Sequence, residues 1–188
     1  MFERLEGKDI VLRKARESDL ESIWINVWSD ERIAANMLWL VTTDKDAARE
    51  RLNRTIRYQK DNPAYFVALK DTDEAIGFCG IRKVDDETWS ESGVAIAASH
   101  QHKGYGHQML RLLLELAFEK LGADRFIYSC FSTNKASAAL CKSLGFSYLS
   151  SKEEIREHDG YKYINDSYTL TRDTYYILKE RSGKNDIP

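Results

Sequence analysis

The stretch HQHKGYGHQMLRLLLELAFEKLG, residues 100–122, combines a strong helical pattern with a glycine-rich beginning. From Gln108 to Lys120 nearly every residue favours a helix, and apolar side chains recur at helical spacing. Gly104 and Gly106 stand where the first turn should form, although a glycine costs about 1 kcal/mol relative to alanine inside a helix. A helix N-terminus presents unpaired backbone N–H groups, and residues without a Cβ let an anion approach them. The pattern therefore predicts either a phosphate site or a tight turn that uses glycine only for its backbone angles.

The rest of the composition indicates one globular domain. The chain has 188 residues and a net charge of -2, so no basic surplus points to nucleic acid. Its three cysteines are widely spaced and form no metal-binding or redox pair. The charged N-terminus lacks a signal peptide, and no apolar run approaches the ~20 residues that span a bilayer. We expect a cytoplasmic domain over residues 1–181, a flexible polar tail over residues 182–188, and no nucleic-acid, membrane or metal binding.

The order of predicted elements indicates a mixed α+β fold. A strand at DIVLRKA precedes a helix whose Ser18 and Glu21 have capping-box spacing, and a second helix follows Thr43. The apolar runs AYFVALKD and AIGFCGIRKVD form a predicted hairpin, and SESGVAIAA is the next strand. The glycine-bearing helix, the strand RFIYSCFS, another helix and a hairpin around HDG follow. We expect an antiparallel meander, a parallel βαβ crossover and a C-terminal hairpin in one helix-flanked sheet.

Two motifs in this order resemble the signatures of the GNAT superfamily of N-acetyltransferases. Gln101-x-x-Gly104-x-Gly106 is similar to its acetyl-CoA motif, R/Q-x-x-G-x-G/A, and NKASAALCKSLGF is similar to its second element, N-x-x-S before a helix ending in L-G-F. DIVLRKARESDLESI, AIGFCGI, ESGVAI and DSYTL further resemble the branch of ribosomal-protein-alanine N-acetyltransferases. The resemblance covers roughly residues 8–180 and implies the GNAT acyl-CoA N-acyltransferase fold.

The resemblance also implies acetyl-CoA as cosubstrate and a set of residues that bind it. The CoA pyrophosphate would lie on the glycine-bearing loop and the pantetheine arm would pair with the preceding strand. Lys103 either contacts phosphate or is simply solvated. The residues implied in cofactor binding are Val94, Ala95, Ile96, Gln101, His102, Lys103, Gly104, Tyr105, Gly106, His107 and Asn134.

The chemistry of amine acetylation needs a base, because an alkylammonium with a pKa of about 10.4 is almost wholly protonated at neutral pH. Glu91 matches a glutamate of E-x-G in this branch and is the candidate base; its alternative is a solvated carboxylate. Ser137 is the candidate general acid. Cys141 stands where many members have a tyrosine, and it either replaces that acid or packs beside CoA. A backbone N–H near Val94 or Ala95 would hold the carbonyl oxygen.

The resemblance therefore implies an enzyme that transfers acetyl to a primary amine, either a protein N-terminus or a small molecule, by direct attack on the thioester. A catalytically inactive acyl-CoA sensor is the alternative, because the motif tyrosine is missing. The acceptor should lie between the first two helices and the late hairpin. The expected wall of the acceptor site consists of Trp28, Met37 and Trp39. Its expected acidic side consists of Glu153, Glu154 and Asp159. The sequence leaves homodimer formation open.

Overall fold

An eight-stranded mixed sheet organises the chain. The structure is a computed structural model that describes residues 2–185, with side chains to Arg181. The strands are β1 (Arg4–Glu6), β2 (Ile10–Arg13), β3 (Ala64–Leu69), β4 (Ala75–Lys83), β5 (Thr88–Ile96), β6 (Arg125–Phe131), β7 (Ser147–Ile155) and β8 (Lys162–Thr171). They lie in the order β1-β2-β3-β4-β5-β6-β8-β7. Among these described strands, only β5 and β6 pair in parallel, as the crossover predicts.

Six helices accompany the sheet in the described chain. They are α1 (Leu20–Ile23), α2 (Glu31–Ala34), α3 (Lys45–Asp61), α4 (Tyr105–Glu115), α5 (Lys135–Ser143) and α6 (Arg172–Asn185). α1 continues as a π-helical turn, Trp24–Trp28, and α4 as another, Leu116–Lys120. The helix between β5 and β6 buries one face, including Leu110 and Leu113, against the sheet. No helix within residues 2–185 is long and apolar enough to cross a bilayer.

The start of the first helical region differs from the prediction. The helical turn begins at Glu17, and Asp19 rather than the Ser18–Glu21 pair caps it, because an Asp19 Oδ2 oxygen accepts from the Arg16 N–H at 2.7 Å. Asp19 is buried and also receives two hydrogen bonds from the Arg13 guanidinium, at 2.8 and 2.7 Å. This buried ion pair, which joins the turn to β2, fixes the helix start.

The C-terminal helix α6 is not predicted by the sequence. Arg172 begins it and donates from Nε to the Ala123 carbonyl oxygen at 2.8 Å. Tyr175 stacks on Phe118, with ring centroids 4.8 Å apart. α6 includes the first residues of the predicted tail, and residues 186–188 lie outside the described residues.

Candidate active site

A gap between two parallel strands is the central feature of the site. β5 and β6 pair only at Thr88 with Arg125, Trp89 with Phe126 and Ser90 with Ile127. Beyond Ser90 no described strand pairs with this side of β5, which continues to Ile96. The edge of β5 from residue 91 to residue 96 therefore lies beside an open gap. An extended ligand that carries amide groups can pair with such an edge as an added strand would.

A β-bulge explains why the two strands separate. The register between β4 and β5 shifts between Cys79 and Ile81, opposite residues 92 and 93. Gly93 has a φ of 112°, a conformation that side-chain-bearing residues rarely adopt. A bulge bends its strand and increases the local twist. The bend turns the second half of β5 away from β6.

Glu91 lies next to the bulge and points its carboxylate into this region. Its Oε2 oxygen accepts from the Gly93 N–H at 2.6 Å. Burial raises the pKa of Glu91, while hydrogen bonds from the Gly93 and Ser129 backbones and the charge of Arg82 act in the opposite direction. A carboxylate with a raised pKa is a stronger base than an ordinary surface glutamate.

The glycine-bearing loop ends in a helix N-terminus without a capping side chain. Gln101 Nε2 donates to the Ile96 carbonyl oxygen at 3.0 Å, which ties the loop to the end of β5. His102 and Gly104 both have left-handed φ angles, 61° and 82°. Gly104 is the residue before α4, and no side chain caps the helix there. The first N–H groups of α4 are therefore available to an anion, since a helix leaves them without internal partners.

The two glycines are both open to approach. A Cβ added at Gly104 would meet nothing within 4 Å, and one added at Gly106 would meet only Leu140 Cδ2, at 3.4 Å. Neither glycine is therefore needed to avoid a clash within the protein. Gly104 is needed for its backbone angle, and Gly106 leaves free space over the first turn of α4.

The other residues of the loop surround this N-terminus. Lys103 is exposed and belongs to no ion pair among residues 2–181. His107 Nε2 lies 2.7 Å from Ser143 Oγ and links the start of α4 to the end of α5. Within residues 2–185, no three His, Cys, Asp or Glu side chains are grouped so as to hold a metal ion.

α5 begins on the other side of the gap. The Asn134 side chain caps it, because its Oδ1 oxygen accepts from the Ser137 N–H at 3.1 Å. Ser137 Oγ lies 2.7 Å from the hydroxyl of Tyr128 on β6. Burial raises the pKa of the Tyr128 phenol; the hydrogen bond with Ser137 acts in the opposite direction, and the negative charge of Glu91 raises the pKa further. The phenol therefore stays protonated at neutral pH and can share a proton with the serine hydroxyl.

Cys141 is fully buried in α5. Its side chain has no exposed surface, and its thiol donates to the Ala138 carbonyl oxygen at 3.3 Å. Burial raises the pKa of Cys141 to about 12, so the thiol is not ionised at neutral pH. These properties are those of a packing residue.

A second pocket, which we call the aromatic pocket, reaches the same bulge from the side of α3. Its volume is about 290 Å³, and its lining includes Ser92 and Gly93. Aromatic side chains form much of its wall, as expected for Trp28 and Trp39; the others are Tyr58, Tyr65, Phe66 and Phe78. Arg51 and Arg54 of α3 complete it.

Met37 and the three expected carboxylates of the acceptor site lie outside the aromatic pocket. Met37 packs on the core, and its carbonyl oxygen accepts from Arg156 in the turn between β7 and β8. Asp159 pairs with Arg156, and Glu154 accepts from the Tyr163 hydroxyl at 2.8 Å. Glu153 is exposed and lies 3.9 Å from Lys162 of the same hairpin, and none of the three carboxylates lines the aromatic pocket.

The structure brings Glu91, the loop before α4, Asn134 and Ser137 around one gap. It adds Tyr128 and Arg51, which sequence reasoning missed. Tyr128 lies in the strand RFIYSCFS, where the alternation of buried and less buried side chains alone did not indicate a role in the active site. Arg51 lies in a helix rich in arginine, in which only tertiary contacts distinguish one arginine from the next.

Comparison with known proteins agrees with this geometry. The model of the acetyltransferase (GNAT) domain matches residues 9–147. N-acetyltransferase p20 of Bacillus licheniformis, itself uncharacterized, is 27% identical over 148 residues, which are 77% of this chain and 83% of that protein.

Two solved structures share the fold. One, from Vibrio cholerae, was proposed to be a ribosomal-protein-serine acetyltransferase; it has a TM-score of 0.75 and 20% identity, over 89% of this chain and 97% of that one. The other is the microcin C7 self-immunity acetyltransferase in complex with acetyl-CoA and AMP, with a TM-score of 0.74 and 17% identity, over 87% of this chain and 93% of that one. The open β5 edge, the uncapped helix beside it and the match across most of the chain lead to one assignment: this protein belongs to the GNAT family and is an acetyl-CoA-dependent acetyltransferase.

Proposed function

We propose that the protein acetylates a primary amine, which attacks the thioester of acetyl-CoA directly. The observation that carries this proposal is the gap beside β5, which runs from the uncapped N-terminus of α4 to Glu91. The aromatic pocket reaches the same bulge from the other side. Cofactor and acceptor can therefore approach one point, next to a carboxylate, from opposite directions.

The loop before α4 would hold the pyrophosphate of CoA. The N–H groups of residues 104–107 donate to it, because they have no partner within the helix. Lys103 is exposed and adds a positive charge beside them. His102 and Gln101 shape the loop, the first through its left-handed backbone and the second through its bond to the Ile96 carbonyl.

The pantetheine arm would pair with the open edge of β5. Val94, Ala95 and Ile96 supply the backbone groups, and an N–H of this segment holds the carbonyl oxygen as it becomes negative. Asn134 uses Oδ1 to cap α5, so its Nδ2 group is the one directed to the arm. Cys141, which belongs to α5, packs into the hydrophobic core.

Glu91 would accept a proton from the attacking amine, directly or through one water molecule. A new C–N bond forms as the nitrogen attacks the carbonyl carbon, and the C–S bond then breaks. Burial raises the pKa of Glu91, which brings the basicity of its carboxylate nearer to that of the amine. The Gly93 N–H holds the carboxylate beside the bulge.

Ser137 would give a proton to the departing thiolate. A serine hydroxyl alone is a weak acid, but Ser137 lies in hydrogen-bond contact with a protonated, buried phenol. As Ser137 donates its proton, Tyr128 can supply a hydrogen bond to the oxygen that remains. Tyr128 is thus a positioning residue, in a chain whose α5 lacks the usual tyrosine.

The test is release of thiol from acetyl-CoA by the purified protein against a panel of amines. The panel contains short peptides with varied N-terminal residues, amino acids, aromatic amines and polyamines. We expect saturable release with at least one class and a product heavier by one acetyl group. Acetyl-CoA that stabilises the protein without turnover of any amine would overturn the proposal and support the acyl-CoA sensor instead.

A further inference from the structure

The charged side chains that line the aromatic pocket are both positive. Arg51 and Arg54 line it, and no Asp or Glu does so among the described residues. Glu50 lies 3.9 Å from Arg54, but both side chains are largely exposed, and such pairs contribute little. A pocket for a polyamine or another polycation would need the opposite charge.

Arg51 is held in place without a carboxylate. Its guanidinium lies over the rings of Trp39 and Trp28, 4.1 and 4.7 Å from their centroids. Nη1 donates to Thr42 Oγ1 at 3.0 Å. Among the described residues it forms no ion pair, so most of its N–H donors remain for another partner.

The contrast with Arg13 shows that this arrangement is unusual for the chain. Arg13 is buried more deeply than the half-buried Arg51, and two carboxylates, those of Asp19 and Asp73, bind its guanidinium. Burial and the neighbouring Arg54 lower the pKa of Arg51 to about 10, which still leaves it charged at neutral pH. A fixed, partly desolvated guanidinium between two indole rings is suited to bind an oxyanion in two-point contact.

We propose that the acceptor is a small amine that also carries an anionic group, a carboxylate or a phosphate, and that Arg51 binds this group. This inference rests on the proposed function, because it places the amine end of the same molecule at the Gly93 bulge beside Glu91. The apolar body of the acceptor would lie along Trp39 and Phe78. The volume of about 290 Å³ suits one small molecule or one terminal residue of a peptide.

Paired ligands test the charge requirement without relying on turnover. Para-aminomethylbenzoate and para-aminomethylbenzamide have the same ring and amine, but only the benzoate carries an anionic group. Phosphoethanolamine and ethanolamine form the phosphate pair. Binding is measured by calorimetry in the presence of CoA, which cannot donate acetyl. We expect the anionic member of at least one pair to bind about 10- to 100-fold more tightly than its neutral partner.

Two Arg51 variants and one control assign the preference to this side chain. Arg51→Gln should remove the preference, and Arg51→Lys should keep only part of it, because an ammonium lacks the planar fork. Arg57→Gln, an exposed position on the same helix outside the pocket, should change nothing. The thermal shift produced by acetyl-CoA must persist in each variant, which shows that the fold and the cofactor site are intact.

The outcomes separate this inference from the proposed function. Equal binding of both members in both pairs, or a preference that survives Arg51→Gln, overturns the inference even if amines are acetylated. Preferred acetylation of spermidine would also overturn it. A preference that depends on Arg51, without acetylation of any amine, would support the anion site and refute amine acetylation.

Discussion

Replacing Gly106 with glutamate should stabilise the free protein and weaken acetyl-CoA binding. Position 106 is in the first turn of α4, where a carboxylate interacts favourably with the helix dipole by about 0.3–1 kcal/mol. Loss of the glycine adds up to about 0.5 kcal/mol of helix propensity. A Cβ at this position meets only Leu140, at an ordinary contact distance. For a chain of this size we expect a melting temperature about 2–4 °C above that of the wild type.

The same carboxylate would repel the pyrophosphate. Two unit charges about 5 Å apart repel by about 1 kcal/mol in water and by about 3 kcal/mol at an effective dielectric constant of 20. This range corresponds to a loss of affinity of about 5- to 150-fold. At one hundred times the wild-type Kd, acetyl-CoA stabilises the wild type by about 2.7 kcal/mol. The variant would retain only about 0.3–1.8 kcal/mol under the same conditions.

Differential scanning fluorimetry with and without acetyl-CoA measures both effects. Gly106→Gln is the matched control, because it has the same bulk without the charge and should lose less affinity. Full stabilisation of Gly106→Glu by acetyl-CoA would show that the anion binds elsewhere. Equal losses in both variants would show that crowding, and not charge, governs the site.

Three further predictions concern the proton-transferring groups and the thiols. Glu91→Gln should lower kcat/KM and remove the acidic limb of the pH–rate profile. Burial raises the pKa of Glu91, so ionisation of this group destabilises the wild-type fold as pH rises above the ordinary value near 4.5. The stability of the variant relative to the wild type should therefore be greater at pH 8 than at pH 4. An unchanged pH profile would exclude this base. Tyr128→Phe should cost about 1 kcal/mol of stability and slow thiol release, whereas Phe126→Leu, a core change away from Ser137, should cost stability alone. If Tyr128→Phe and Phe126→Leu slowed thiol release equally, Tyr128 would have no specific role in the reaction. Iodoacetamide should label no cysteine in the native protein and three in urea, since Cys79, Cys130 and Cys141 are buried with raised pKa values; rapid native labelling would contradict this burial.

Local sequence signals predict the centre of the fold well. α3 begins after Asp44, whose side chain accepts from the Ala47 N–H at 2.8 Å, and β3 and β4 form the predicted hairpin. The glycine-bearing turn, α4 and the parallel pairing of β5 with β6 are also confirmed. Each of these depends on residues that are close together in the chain, or on a motif with a fixed spacing.

Features that depend on distant contacts could not be read in this way. α6 has little amphipathic pattern, and its packing depends on contacts such as that between Tyr175 and Phe118. The start of the first helical region is set by a buried ion pair with Arg13. The acidic hairpin looked suited to bind a cation, but Arg156, Tyr163 and Asn165 already engage two of its carboxylates, those of Asp159 and Glu154. Composition cannot show which charges are already paired.

The helix that lines the aromatic pocket and the groups proposed to transfer protons belong to different parts of the chain. Arg51, Arg54, Thr55 and Tyr58 line it from α3, at the spacing that places side chains on one face of a helix. Glu91, Tyr128 and Ser137, by contrast, belong to β5, β6 and α5. In the proposed mechanism, substitutions along that single helical face can alter which amine is accepted without touching the groups that transfer protons. New acceptor preferences can therefore evolve, or be engineered, on a catalytic framework that stays constant.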